Sequence, residues 1–205
     1  MDYRDYIKEE CLDVYKQEQE NLANRLLEAK YNLLFLKMVN ERDETFRDNH
    51  DITERFEIRI VVRRIYVTVA WELALQIKAF TDDNDKDCLT INKFKNNIYK
   101  FIRDDKKQEY FDSLGVITRS HEWSDCTKLV ANISAYRNKI VGHNIVNPPK
   151  LTFNINDADF VISQYEKVFK VLSFQDKVYE KRVASMDDEM TSFITAYLNA
   201  ILPLN

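Results

Sequence analysis

A chain of 205 residues, 45% of them apolar, is long enough to bury one sizeable core, so a single domain is expected and disorder is not. Its two glycines and three prolines are too few for hairpins and tight turns, whereas its leucine, lysine, glutamate and alanine content favours an all-α fold, a bundle of long antiparallel helices. A net charge of −4 and a pI near 5.5 exclude a broad basic surface for gripping nucleic acid, but leave room for a few cations holding one or two phosphates in a cleft.

Tyr3 to about Asn40 contains no helix breaker, and Leu22, Leu26, Ala29 and Leu33 continue one apolar face; one long helix, or two nearly continuous ones, is expected. Glu41 to His50 is heavily charged and reads as a solvated helix end and connection. Asp51 followed by Glu54 resembles a capping box, opening a helix to about Phe80 whose apolar residues lie around much of its circumference, as in a central bundle helix. Asp82-Asp83-Asn84-Asp85-Lys86-Asp87 has the oxygen ligands of a calcium loop. It lacks the rest: counted from Asp83, Cys88 stands where the turn glycine belongs and Phe94 where the bidentate glutamate belongs, so it reads as a solvated acidic loop. Thr90 or Asn92 can cap a shorter helix carrying Phe94, Ile98 and Phe101, and Gly115 is expected to close the helix with Tyr110, Phe111 and Leu114. A helix over about Glu122 to Val141 follows. Pro148-Pro149 then excludes helix, Asn156 or Asp157 starts the next one, and a last helix covers about Asp187 to Leu202 before Pro203.

Three widely spaced cysteines, Cys11, Cys88 and Cys126, form neither a disulfide framework nor a zinc-ligand pair, which suits a reducing interior. The start of the chain is charged from Asp2 and Arg4 onward, and no run approaches the ~20 apolar residues of a membrane span. A soluble cytoplasmic protein is expected.

The chemistry-bearing stretch is Tyr136-Arg137-Asn138-Lys139-Ile140-Val141-Gly142-His143. Cys126, Leu129, Val130, Ile133 and Ile140 recur at spacings of three and four, one apolar helical face, and Arg137 falls on it four residues after Ile133. A guanidinium on such a stripe requires an anion, a carboxylate or a water-filled cleft. Gly142 is placed as a left-handed C-terminal cap. In a continued helix His143 would point about 120° away from Arg137; a turn at the glycine can bring them together. Arg137, Asn138 and His143 are the one set here with the residue types for acid–base chemistry on a phosphate: a histidine titrates near neutrality and an arginine stabilises the added charge of a phosphorane. The plain alternative is that Arg137 pairs with a carboxylate of a neighbouring helix while His143 complements the negative helix end.

Other candidates read as ordinary. Lys139 and Lys150 lie near enough to assist with neighbouring phosphates, or are simply solvated. His50 and His121 have no second histidine at ligand spacing, and Ser120 lacks a glycine-flanked elbow. The aromatic set Phe56, Tyr66, Trp71, Phe80, Phe94 and Phe101 falls at helical spacing and reads as core.

An arginine, a polar residue, four further positions and a histidine at the end of an amphipathic helix resembles the signature of the HEPN superfamily. Upstream, Tyr66 to Phe80 leads through an acidic loop to Leu89-Thr90-Ile91-Asn92-Lys93-Phe94, and downstream Leu151-Thr152-Phe153 precedes the next helix. That order is similar to the U-type abortive-infection branch, over roughly residues 50 to 175. The resemblance implies a helical homodimer with two Arg-to-His motifs facing one another, and a metal-independent, cofactor-free endoribonuclease of phage-defence or toxin type. It leaves room for a neutralising partner protein. It implies that His143 acts as general base or acid, that Arg137 holds the scissile phosphate and that Asn138 positions one of them, on single-stranded RNA and away from membranes. Ile145 stands where some toxins of the superfamily carry a modifiable tyrosine two residues after the histidine. Other members bind nucleotides or partner proteins without cleavage, so a non-catalytic binding module in a defence or regulatory complex is the alternative.

Overall fold

The computed structural model describes residues 3–49, 52–82, 89–140, 153–175 and 177–201; the helical side chains of 44–49, 52–59, 137–140 and 186–187 fall outside that description. Among the described residues every regular element is helical, as composition predicts. The long helices are α1 (Leu12–Asn49), α2 (Ile52–Ala79), α5 (His121–Ile140), α6 (Ile155–Leu172) and α7 (Lys177–Ile201). The short ones are α3 (Ile91–Phe101) and α4 (Lys107–Thr118). None is long and apolar enough to cross a membrane among the described residues.

Side-chain pairs set the directions. Arg25 lies over the Phe80 ring and Asn32 donates to Gln76, while Val39 packs with Val62, so α1 and α2 form an antiparallel hairpin. Tyr15 donates to the Leu172 carbonyl, Lys30 pairs with Glu166 at 2.7 Å and Lys37 with Asp159 at 2.9 Å, so α6 also runs antiparallel to α1. α5 fills the fourth corner between α2 and α6, with Trp123 against Tyr165 at one end and Tyr136 against Phe153 at the other. The result is an up-down-up-down bundle of α1, α2, α5 and α6, with α3 and α4 carrying the chain across one end. At 38 residues α1 is roughly 57 Å long and overhangs its neighbours. α7 runs alongside it, where Ile194 and Leu198 join Val39 and Val62 in a second, smaller core.

Several boundaries differ from expectation. The first helix begins at Leu12, preceded by single 3-10 turns at Tyr3–Asp5 and Glu9–Cys11. Between those turns the Lys8 amide donates to the Phe101 carbonyl and the Arg103 amide to that of Tyr6, a pairing with the α3–α4 connection that helix would forbid. The charged segment from Glu41 continues α1 to Asn49 instead of forming a connection, in keeping with the high helix propensity of straight-chain Glu and Arg. Gly115 does not close α4. It sits inside the helix with ordinary φ, and a side chain there would first meet Arg119, at 3.6 Å. Thr90, not Asn92, caps α3, accepting from the Lys93 amide at 3.0 Å; Asn154, ahead of both Asn156 and Asp157, caps α6. α7 starts at Lys177, ten residues before Asp187, since Val178 to Val183 extend the same amphipathic run and Tyr179 is buried against Phe169. Asp51, Gly142 and Pro148-Pro149 lie outside the described residues.

The α6–α7 corner carries backbone strain. Phe174 and Gln175 both have positive φ, 51° and 58°, a conformation that costs a non-glycine residue roughly 1–2 kcal/mol. Gln175 is exposed, and its amide reaches back to the Lys170 carbonyl at 2.8 Å. Gln175→Gly is therefore expected to stabilise the fold by about 1 kcal/mol, read as a higher denaturant midpoint with unchanged slope. A lower midpoint would show that the side chain contributes more than its backbone costs.

Candidate functional site

α5 owes its start to Ser120, whose hydroxyl oxygen accepts from the Trp123 amide at 3.1 Å. This N-cap occupies the serine, in keeping with its having no nucleophile's surroundings. The helix then runs unbroken for 20 residues to Ile140, so the backbone of Arg137, Asn138 and Lys139 forms its last turn. Their side chains, and the whole of His143 and Lys150, lie outside the described residues.

What anchors that last turn is visible. Cys126, Ile133 and Tyr136 are buried, with Leu129 and Val130 packed beside them, which is the apolar face that the spacing of three and four predicts. This face presses into the groove between α2 and α6. Tyr136, immediately before Arg137, packs its ring 5.5 Å from that of Phe153. Across the groove stands Tyr66 of α2. Burial raises the titration of both phenols, and for Tyr66 the neighbouring Tyr136 raises it further. Both hydroxyls are thus neutral at physiological pH and able to donate a hydrogen bond. Helical spacing assigns Tyr66 to the core and gives Tyr136 no role; adjacency to Arg137 is the available signal for the latter.

The remaining reactive side chains are accounted for locally. Burial pushes the Cys126 thiol up to about 12, so it holds almost no thiolate near neutrality. In the folded protein Cys126 is expected to resist a thiol reagent at pH 8 until denaturant is added; fast native labelling at this position, mapped by peptide mass, would contradict its burial. His121 is exposed on the first turn of α5, where the Glu122 carboxyl is held low chiefly by hydrogen bonds from its own amide and from Ser120, and the Asp125 carboxyl by the one from Lys128. Asp82, at the start of the acidic loop, pairs with Lys78 at 3.1 Å; Asp83 to Cys88 lie outside the described residues. Among the described residues no three His, Cys, Asp or Glu side chains converge as metal ligands do.

A shallow groove of about 230 Å³ lies elsewhere, between α1 and α7, lined by Met38, Glu41, Arg42, Thr195, Leu198 and Asn199. Arg42 donates across it to Asn199, so the guanidinium that lines the groove is already engaged. None of its lining residues belongs to the Arg-to-His stretch. Compared as sequence with models of protein families and with characterised proteins, and as a fold with solved structures, the chain shows no significant match.

Proposed function

We propose that this chain is a metal-independent endoribonuclease of the phage-defence or toxin type, acting as a homodimer with a composite site built from Arg137 and His143 of both copies. The observation that supports it most is the run of α5: one continuous helix, wedged between α2 and α6, whose last turn carries Arg137 and Asn138, six and five residues before His143. Such a wedge gives a phosphate-binding guanidinium a rigid base, which a catalytic pocket needs more than extra contacts. In this reading His143 removes the proton of a ribose 2′-hydroxyl, or gives one to the departing 5′-oxygen. Arg137 holds the scissile phosphate and takes up the charge that develops there, and Asn138 orients phosphate or imidazole. Lys139 and Lys150 draw neighbouring RNA phosphates. The 2′-oxygen bonds to phosphorus as the bond to the 5′-oxygen breaks, leaving a 2′,3′-cyclic phosphate and a 5′-hydroxyl.

The net charge of −4 favours a second reading, a non-catalytic helical module that binds a nucleotide or partner protein at the same cleft. Incubation of the full chain with single-stranded RNA in EDTA, beside the same strand in deoxy form, separates the two. The nuclease cuts RNA into cyclic-phosphate ends and leaves DNA whole, because only RNA supplies the attacking hydroxyl. RNA left intact by the parent chain at micromolar protein overturns the proposal.

A further inference from the structure

The outer face of α2 is turned away from α1, α5 and α6, yet it is not built like a solvated face. Ile60, Val61 and Val67 are 43%, 53% and 36% exposed, and Trp71 on the same side is only half-buried. Down the middle of this face run Val61, Arg64, Thr68, Glu72 and Leu75, at spacings of three, four, four and three. At 100° per residue they fall within an arc of about 80°. The row is symmetric about Thr68: each residue has a counterpart at equal distance on the other side.

Its charges are antisymmetric in the same sense. Arg64 lies four residues before Thr68 and Glu72 four after, both exposed, and neither has an ion-pair partner among the described residues. A second α2 laid antiparallel about a two-fold axis beside Thr68 brings Arg64 opposite Glu72 of the other copy, and Glu72 opposite its Arg64. Val61 meets Leu75, half-buried in the single chain, apolar on apolar. Because the axis is perpendicular to the plane of the two helices, Ile60, Val67 and Trp71 of both copies come to the same side of the seam and can cover one another. A parallel pairing would instead set Arg64 against Arg64 and Glu72 against Glu72.

We infer that a second copy of this chain docks on the outer face of α2, antiparallel to it, about a two-fold axis beside Thr68. Such an interface is isologous, so it closes at two copies and does not propagate. The seam lies on the side of α2 turned away from α5, so as a surface it does not depend on the ribonuclease reading.

The test is a charge swap measured by sedimentation equilibrium on the full chain, at roughly 1 to 100 µM, the range in which a seam of this length is expected to associate. Arg64→Glu and Glu72→Arg are each expected to weaken the dimer about tenfold or more, since each replaces two attractions by two repulsions. The double variant Arg64→Glu/Glu72→Arg is expected to return to within about threefold of the parent, which a general loss of folding cannot do. Helical circular dichroism should be the same in all three, as both residues are exposed. A parent that stays monomeric at about 100 µM, single variants that dimerise like the parent, or a double variant no better than the singles each overturn the inference. A dimer that survives all three swaps and is lost in Phe193→Ser moves the interface to α7, whose Phe193 is 66% exposed, and overturns it as well. Parent protein that dimerises through α2 but leaves RNA intact sinks the ribonuclease reading alone.

Discussion

Neither His143→Ala nor Arg137→Ala is expected to cut single-stranded RNA at a useful rate, yet an equimolar mixture of the two is expected to recover part of the lost activity. Removing a positioned general acid or base costs about 10²–10⁴-fold, and removing the group that stabilises charge on the reacting phosphate costs about 10²–10³-fold. The recovery follows from the composite pocket. When two inactive variants exchange subunits, about half of the dimers hold one copy of each, and every such dimer retains one arginine and one histidine. If the two motifs face a common pocket, that pair suffices to bind a phosphate and move a proton. Rates are measured in EDTA on a labelled RNA, before and after mixing, with mixed dimers counted by native mass spectrometry. Mixed dimers that form without any gain in rate would mean that Arg137 and His143 work within one chain. Full activity in either single variant would remove that residue from the chemistry.

Phe174→Ala is expected to destabilise the fold by about 3–5 kcal/mol, the range for deleting a buried phenylalanine. Phe174 occupies an unfavourable left-handed conformation, φ 51°, and is nevertheless buried. Its ring stacks on Tyr6 at 4.7 Å and lies 5.9 Å from Tyr15 and 6.0 Å from Tyr110. One side chain therefore ties the α6–α7 corner to the N-terminal 3-10 turns, to α1 and to α4. Alanine removes that tie but keeps the backbone cost, so the corner retains its strain with nothing to offset it. In a domain of this size each kcal/mol shifts the melting midpoint by roughly 2–4 °C, so a loss on the order of 10 °C is anticipated. Phe174→Leu should fall by less than half as much, because it refills most of the cavity. A melting point within about 2 °C of the parent for Phe174→Ala would show that the aromatic cluster closes around the gap.

The helical register of this protein was legible in its residues. The buried positions of α5 fall where a spacing of three and four places them, and Thr90, one of the two residues expected to cap α3, does so. Such signals are local: a helix face and its cap are decided by neighbours within one turn, and no distant contact is needed to read them. The Arg-to-His stretch belongs to the same kind of signal. Residue types and spacing nominate it, and the continuity of α5 through Arg137 and Asn138 is what the unbroken pattern from Cys126 onward anticipates. Where His143 stands relative to Arg137 depends on the turn at Gly142, which the described residues do not include.

Tertiary structure decided the rest, for a common reason. Gly115 reads as a terminator because glycine favours left-handed caps, yet α4 continues through it to Thr118, with Tyr110 and Leu114 buried beneath. Phe174 and Gln175 end α6 in left-handed conformations that no local preference of phenylalanine or glutamine predicts; the aromatic cluster from three other elements holds the first of them there. The outer stripe of α2 is the same case in reverse. Its periodicity marks apolar residues on nearly every side, and only the placement of α1, α5 and α6 shows which of them are covered and which, with Arg64 and Glu72, are left facing outward. Sequence alone determined that the chain is helical and which side of most helices is apolar, because those are one-turn properties. Which apolar side is used, and which strained residue is tolerated, is set by burial against partners far away in the chain, a free energy of several kcal/mol that overrides local preferences of about one.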